Sequence, residues 1–165
     1  GYHRKVHRRT RSAGKGYTMK LCFVCTGNAS RSPMAEAIAR YQVAELGLPW
    51  TVFSAGTEGV DGAPISEKAR AVCAEIGISL AEKTRQALKP EYVTSDTLFI
   101  AMEVEHRVYL KDSLDVPDDR ILVLQGGISN PRFGDLDRYR ECRDQLVTAV
   151  REVLHSLARE ESCSV

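Results

Sequence analysis

The sequence contains no long hydrophobic run, few aromatic residues and few cysteines. Of its 165 residues, 43% are hydrophobic but only 7% are aromatic, and five are cysteine. A membrane-spanning helix needs about 20 consecutive apolar residues, and no run approaches that length, so we expect no membrane association. An odd number of cysteines disfavours the disulfide framework of a secreted domain. We therefore expect reduced thiols and a cytoplasmic location.

The sequence also has no large excess of positive or negative charge, because the formal net charge is +1. Six of the 23 Lys and Arg residues lie within residues 1–18, however, and all 22 Asp and Glu residues lie after them. A basic arm occurs in some nucleic-acid-binding proteins, and it is also typical of a leader or tag. We interpret 1–18 as a basic leader or tag without fixed structure and 19–165 as one domain. The acidic balance of this domain predicts no nucleic-acid partner.

Short apolar runs alternate with helical patterns along the domain. The runs predict β-strands at 21–24, 51–53, 97–101 and 121–124. Apolar residues three or four apart predict helices from Pro33 up to Gly47, at 65–76, at 103–111 and at 139–157. Strands that are apolar throughout and alternate with helices predict an α/β fold, a four-stranded parallel sheet with helices on both faces. Ser32 is predicted as the N-cap of the first helix, with Pro33 at its first position.

A polar loop joins the first predicted strand to the first helix, where ligands bind in sheets of this kind. Its sequence is Cys25-Thr26-Gly27-Asn28-Ala29-Ser30-Arg31-Ser32. A loop entering a helix N-terminus aims backbone N–H groups and the positive end of the helix dipole at one point. A thiol there loses its proton more easily than a free cysteine, and an Arg guanidinium holds two phosphate oxygens at once. The pattern predicts that Cys25 attacks a phosphate held by Arg31 and forms a phosphocysteine.

Other polar and sulfur side chains lie close to Cys25 in the sequence. A hydroxyl of Ser30 or Ser32 is expected to stabilise the thiolate or the departing sulfur. Cys22 forms a Cys-x-x-Cys pattern with Cys25, which is also found in redox pairs and metal sites. Residues three apart on a strand point to opposite faces, however, so Cys22 is predicted to belong to the core.

The stretch Cys-Thr-Gly-Asn-Ala-Ser-Arg-Ser-Pro-Met-Ala-Glu-Ala resembles the phosphate-binding loop of the low-molecular-weight protein tyrosine phosphatases. Three later stretches match in family order, namely Ser54-Ala55-Gly56-Thr57, Ala101-Met102-Glu103 and Asn130-Pro131-Arg132-Phe133-Gly134. The resemblance covers Lys20 to about Leu157. It implies a flavodoxin-like domain that hydrolyses a phosphorylated protein or a small phosphomonoester without a metal or cofactor, and that binds anions such as phosphate and sulfate. We expect a monomer or a weak dimer.

The resemblance also implies roles for individual residues. Cys25 corresponds to the nucleophile and Arg31 to the phosphate clamp of the family. The phosphate-binding positions are Thr26, Gly27, Asn28, Ala29, Ser30 and Arg31. Asn28, Ser32 and Ser54 are implied to form the network that shapes the loop.

The most consequential departure from the family pattern lies in the late loop. The family has an Asp before the Pro of this loop, and that Asp protonates the leaving oxygen, whereas this chain has Asn130. An amide cannot donate an acidic proton, so we expect slower release of poor leaving groups such as a tyrosine phenolate. Asp135 and Asp137 are candidates to replace the missing acid. Ser30 stands where the family usually has a second cysteine that can trap the nucleophile as a disulfide.

Two further departures affect the predicted substrate slot. Arg132-Phe133 stands where the family has the aromatic pair that walls the slot. Phe133 is expected to stack on a substrate ring, whereas Arg132 favours an anionic or smaller substrate. Ala29 replaces a larger residue and is expected to widen the mouth.

Related classes of protein share the loop and stay open as alternatives. Thioredoxin-coupled arsenate reductases have two further cysteines after the third strand, and residues 96–112 contain none. Protein-arginine phosphatases usually have Thr where this chain has Ala29. A module that binds an anion without turning it over is the non-enzyme alternative. His106 and His155 are predicted to lie on the surface, and the cysteines at 73, 142 and 163 to be core or tail residues.

Overall fold

A computed structural model of the chain describes residues 19–162. The leader predicted at 1–18 and the cysteine at 163 lie outside this range. The strands are β1 (Lys20–Cys25), β2 (Thr51–Gly56), β3 (Thr97–Ala101) and β4 (Ile121–Val123). The α-helices are α1 (Arg31–Glu45), α2 (Glu67–Ala74), α3 (Val104–Leu114) and α4 (Leu136–Ser162), with short 3-10 turns at Pro90–Tyr92 and Asp118–Arg120. No helix within the described range is long and apolar enough to cross a bilayer.

The four strands form one sheet in the order β2-β1-β3-β4, and every pairing is parallel. β1 is therefore a central strand, with Cys25 at its carboxyl end opposite Gly56 of β2. This arrangement confirms the α/β fold and the four-stranded parallel sheet predicted from the alternating pattern. The loop after β1 opens at the edge of the sheet where ligands of such folds bind.

Two apolar clusters cover the two faces of the sheet. Leu21, Phe23 and Cys25 of β1 belong to the larger cluster, which also contains side chains of α1, α2 and α4. Cys22 and Val24 point to the opposite face, where α3 supplies buried side chains. Because side chains alternate along a strand, the two cysteines of the Cys-x-x-Cys pattern lie on different faces, as predicted.

The first helix begins earlier than the sequence pattern indicates. The carbonyl of Ser30 accepts the N–H of Met34 at 3.0 Å, which closes a helical turn that already contains Arg31 and Ser32. Ser30, not Ser32, occupies the N-cap position. The predicted N-cap at Ser32 is therefore wrong, and its hydroxyl is left available for the loop.

Two other helices start at positions that differ from the predicted ones, and each start is set by a side-chain cap. The Oγ of Ser66 accepts the N–H of Ala69 at 3.2 Å, so α2 starts at Glu67 and not at 65. The Oδ1 of Asp135 accepts the N–H of Arg138 at 2.9 Å, and α4 starts next to it, three residues before the predicted start. In both cases a polar side chain that satisfies a first-turn N–H group sets the boundary.

Candidate active site

The loop between β1 and α1 lines a concave pocket. Asn28, at its midpoint, has a left-handed backbone with φ of 53°. The carbonyl groups of Thr26 and Ala29 accept the N–H groups of Glu58 at 2.8 Å and Ser66 at 2.9 Å. By contrast, the N–H groups of residues 27–30 donate no hydrogen bond to any residue in the range 19–162. The loop thus offers several unpaired amide donors to an oxyanion.

The end of β2 packs directly on this loop. A Cβ atom added to Gly56 would lie 2.6 Å from the carbonyl oxygen of Thr26 and 2.7 Å from the nitrogen of Asn28. Thr57 then donates its N–H to the carbonyl of Cys25 at 3.0 Å. Only glycine permits this approach at position 56, and the approach holds the segment after β2 against the phosphate-binding loop.

A chain of hydrogen bonds reaches the sulfur of Cys25 from Asn28. The Oγ of Ser32 lies 2.9 Å from the Sγ of Cys25. The Nδ2 group of Asn28 donates to the Oγ of Ser32 at 2.8 Å and to the Oγ of Ser54 at 2.9 Å. The Oδ1 of Asn28 accepts the N–H of Gln86 at 2.8 Å, which determines the orientation of the amide. Because the oxygen of Ser32 accepts from Asn28, its own proton is available to the sulfur.

The far end of this chain is a buried carboxylate that the sequence analysis did not single out. Ser54 donates to the Oε1 of Glu36 at 2.8 Å, and Glu36 is only 4% exposed. The Nζ of Lys83 lies 3.1 Å from the same oxygen, and Arg40 lies 3.5 Å from the other one. Glu36 lies in the stretch that resembles the family loop, and this position was the signal for its role in the sequence.

Arg31 is held by groups from two distant segments. Its side chain is 3% exposed, and Nη1 donates to the carbonyl of Ile128 at 2.8 Å. The same atom forms an ion pair with the carboxylate of Glu103, the N-cap of α3. The guanidinium is therefore oriented before any anion binds, which favours planar, two-point recognition of phosphate.

His106 is buried, so the prediction that it lies on the surface is wrong. It occupies the third position of α3, where its Nδ1 accepts the N–H of Glu103 at 3.1 Å in a reciprocal capping box. The proton is consequently on Nε2, which donates to the Oγ1 of Thr26 at 2.9 Å. Burial, with a smaller effect of the charge on Arg31, lowers the pKa of His106 to about 4. His155 is exposed, as predicted.

The pocket above Cys25 has a volume of about 310 Å³. Besides the phosphate-binding loop, it is lined by Glu58, Ser66, Arg85, Asn130, Arg132 and Tyr139. Asn130 therefore lines the same pocket as Cys25 and Arg31. Asp135 and Asp137 do not line the pocket: Asp135 caps α4, and Asp137 pairs with Arg140 at 2.7 Å.

Comparison with known proteins agrees with this geometry. Residues 20–163 match the family described as low molecular weight phosphotyrosine protein phosphatase. The chain belongs to this family. It is a cysteine-dependent phosphatase, and the family and fold expected from the sequence are confirmed.

Individual relatives of this phosphatase carry two different names. A low molecular weight protein-tyrosine-phosphatase of Streptomyces coelicolor is 33% identical over 163 residues, which covers 86% of this chain and 99% of the relative. A protein-arginine-phosphatase of Geobacillus stearothermophilus is 32% identical over 150 residues, which covers 86% and 98%. A solved low molecular weight protein tyrosine phosphatase from T. tengcongensis is 29% identical with a TM-score of 0.79, over 84% and 99% of the two chains.

The aromatic residue expected to wall the substrate slot of the phosphatase does not line the pocket. Phe133 is 89% exposed and has a left-handed backbone with φ of 69°. The guanidinium of Arg132, which does line the pocket, lies 4.5 Å from the centroid of the Phe133 ring. Arg132 thus contacts both the pocket and this ring, and the ring itself is exposed.

The other described cysteines of the phosphatase are buried and do not line the pocket. Burial raises the pKa of Cys73 to about 12 and that of Cys142 to about 11, and it also raises the pKa of Cys22. These thiols stay protonated near neutral pH. Within residues 19–162 no cluster of three His, Cys, Asp or Glu side chains has an arrangement suited to a metal ion.

Proposed function

We propose that this phosphatase hydrolyses phosphate monoesters on proteins through a phosphocysteine formed on Cys25. One observation carries the proposal: the sulfur lies at the base of the pocket, among the unpaired N–H groups of residues 27–30, with the hydroxyl of Ser32 at 2.9 Å. Such a site stabilises both a thiolate and the oxygens of a phosphate dianion.

In the first step the phosphate oxygens accept hydrogen bonds from the loop amides and from the guanidinium of Arg31. The sulfur of Cys25 attacks phosphorus, the S–P bond forms, and the bond from phosphorus to the leaving oxygen breaks. Charge moves from the sulfur onto the phosphoryl oxygens and the leaving group in this step. The oriented donors of the loop stabilise it without rearranging.

In the second step water attacks the phosphocysteine. The S–P bond breaks, inorganic phosphate forms, and the sulfur leaves as a thiolate. Ser32 is placed to donate its proton in a hydrogen bond to that sulfur, because its oxygen already accepts from Asn28. Stabilising the thiolate makes it a better leaving group and so promotes this step.

Asn130 cannot supply the proton that a poor leaving group needs. Its amide lines the pocket, but it has no acidic proton to transfer to the leaving oxygen. General acid catalysis is typically worth about 10²–10⁴-fold in rate. We therefore infer that esters whose leaving oxygen needs no proton, such as p-nitrophenyl phosphate, are hydrolysed most readily.

The test of this function is the hydrolysis of p-nitrophenyl phosphate by the wild type and by Cys25→Ser. We expect hydrolysis to disappear in the variant, and rapid quenching of the wild type to leave an acid-labile phosphate on the peptide that contains Cys25. Cys73→Ala is a matched control at a buried thiol outside the pocket. Activity that persists in Cys25→Ser, or phosphate on another residue, would show that the proposal is wrong.

Hydrolysis of phosphoarginine on proteins is the second candidate function. It is favoured by the 32% identity to a relative named protein-arginine-phosphatase over 86% of this chain. Two peptides of one sequence, one with phosphotyrosine and one with phosphoarginine, separate the candidates by their kcat/KM values. Preference for the phosphoarginine peptide would select the second candidate.

We further propose that the enzyme works in a reducing compartment such as the cytoplasm. A thiol must remain available at position 25, and the four cysteines in the described range are all unpaired. Reducing compartments maintain this state. The expected monomer or weak dimer stays a prediction.

A further inference from the structure

Among residues 19–162, Glu58 is the only Asp or Glu residue that lines the pocket above Cys25. It follows β2 by two residues, in the segment that the close approach at Gly56 holds against the phosphate-binding loop. Asn130 belongs to the same pocket lining. A leaving group in this pocket is therefore within the same lining as the amide of Asn130, which has no acidic proton, and the carboxyl group of Glu58.

The backbone at Glu58 is hydrogen-bonded to the catalytic loop on one side and packs against the segment at Gln86 on the other. Its own N–H donates to the carbonyl of Thr26 at 2.8 Å, and the preceding N–H donates to the carbonyl of Cys25 at 3.0 Å. On the other side, a Cβ atom added to Gly59 would lie 2.5 Å from the carbonyl oxygen of Gln86. The Cα of residue 58 is thus held in place relative to the nucleophile, and only the Glu side chain is left to move.

The carboxyl groups of Asp135 and Asp137, which the sequence offered as replacement acids, and that of Glu103 are already engaged elsewhere. Asp135 caps α4, Asp137 pairs with Arg140, and Glu103 pairs with Arg31. Glu58 forms no ion pair with any other described residue. Its carboxyl group is exposed and no described side chain pairs with it, so it can reach a substrate in the pocket.

We propose that Glu58 is the general acid of this phosphatase and takes the role that Asn130 cannot perform. The inference rests on the proposed function of Cys25. As the bond from phosphorus to the leaving oxygen breaks, the proton of the Glu58 carboxyl group moves to that oxygen, which departs as a neutral alcohol or phenol. The resulting carboxylate then accepts a proton from the water that attacks the phosphocysteine, and Glu58 returns to its acid form.

The experiment compares two aryl phosphates that differ in their need for a proton. Phenol is a poor leaving group and p-nitrophenol a good one, so loss of a general acid slows phenyl phosphate far more. We expect Glu58→Gln to lower kcat/KM for phenyl phosphate by about 100-fold and for p-nitrophenyl phosphate by less than about threefold. The kcat/KM value includes the step that breaks the P–O bond and excludes later hydrolysis of the phosphocysteine.

Two variants complete the experiment. Glu67→Gln removes an exposed carboxyl group of α2 that does not line the pocket and is the matched control. The double variant Glu58→Gln/Asn130→Asp restores an acid to the pocket at position 130, and we expect phenyl phosphate hydrolysis to recover. Thermal melting curves of all variants establish that they are folded.

The outcomes separate this inference from the proposed function. Equal losses on both aryl phosphates would mean that Glu58 binds or positions substrate, and no loss on either would mean that it is dispensable; each result overturns the inference. Loss of dependence on Cys25 with p-nitrophenyl phosphate would instead overturn the proposed function, because that substrate needs no general acid.

Discussion

The hydroxyl of Ser54 donates a hydrogen bond of 2.8 Å to the carboxylate of Glu36, and this contact leaves the oxygen of Ser54 to accept from Asn28. A carboxylate only accepts hydrogen bonds, so the proton of Ser54 is committed to Glu36. The oxygen of Ser54 then accepts from Asn28, whose amide also donates to Ser32. The last proton in the chain consequently points at the sulfur, where it favours the thiolate over the thiol.

Replacing Glu36 with Gln should loosen this network. A Gln amide can donate to Ser54 as well as accept from it, so Ser54 holds the Asn28 amide less firmly, and with it the hydrogen bond from Ser32 to the sulfur. We expect alkylation of Cys25 by iodoacetamide at neutral pH to slow by about tenfold, equivalent to about 1.4 kcal/mol. Rates measured across a pH series, with Glu45→Gln on the exposed end of α1 as the control, check the prediction. The prediction is wrong if Cys25 is alkylated at the same rate in Glu36→Gln and Glu45→Gln.

Lys83→Met distinguishes the charge of Glu36 from the salt bridge that accompanies it. The variant removes the ammonium group 3.1 Å from the carboxylate and leaves the acceptor in place. Because the carboxylate still commits the proton of Ser54, we expect reactivity of Cys25 close to that of the wild type. A loss as large as that of Glu36→Gln would assign the effect to the ion pair.

Asn28 combines a left-handed backbone with a bridging amide, and two substitutions separate these properties. Asn28→Gly keeps the conformational freedom and removes the amide, whereas Asn28→Ala removes the amide and adds strain of about 1–2 kcal/mol. We expect both variants to lose kcat/KM to a similar extent, and the Ala variant to be less stable by about 1 kcal/mol. Urea unfolding and p-nitrophenyl phosphate hydrolysis measure the two effects. Equal stability would contradict the assigned role of the backbone.

His106 should make the protein less stable in acid. Its pKa is lowered from 6.5 to about 4 in the folded state, so the unfolded chain binds more protons between these values. The stability that the neutral ring contributes is present above pH 6.5 and is lost as the pH falls towards 4, by about 3 kcal/mol. Urea unfolding at pH 7 and pH 4 should therefore show a smaller difference for His106→Gln than for the wild type. If the wild type and His106→Gln lose the same stability between pH 7 and pH 4, the prediction is wrong.

Gly56 and Gly27 should respond differently to an added methyl group. Gly56→Ala places a Cβ atom 2.6 Å from the Thr26 carbonyl oxygen, whereas at Gly27 the nearest heavy atom is 3.9 Å away. We expect Gly56→Ala to lower the free energy of unfolding by more than about 2 kcal/mol and Gly27→Ala by less than about 1 kcal/mol. Chemical denaturation measures both. A small effect at Gly56 would show that β2 and the loop separate easily.

The sequence alone determined the fold class and the centre of the site. The strand, the loop and the first helix are contiguous, so the spacing from Cys25 to Arg31 already places the thiol and the guanidinium at one helix N-terminus. Apolar strands alternating with helices predict a parallel sheet for a similarly local reason, because each strand must be covered on both faces. Helix boundaries were less certain, since caps at Ser30, Ser66 and Asp135 outweighed the apolar pattern.

Only the tertiary structure decided which distant side chains support that centre. Glu36 comes from α1, Glu58 from the segment after β2, and Glu103 and His106 from the start of α3, and hydrophobic periodicity does not say which polar residues of distant segments meet. His106 looked like a surface residue because its neighbours are charged, yet the packing of α3 turns it towards Thr26. The role of Glu58 likewise depends on two backbones approaching closely at Gly56, a distance that is set by how the strands pair and not by their sequence spacing.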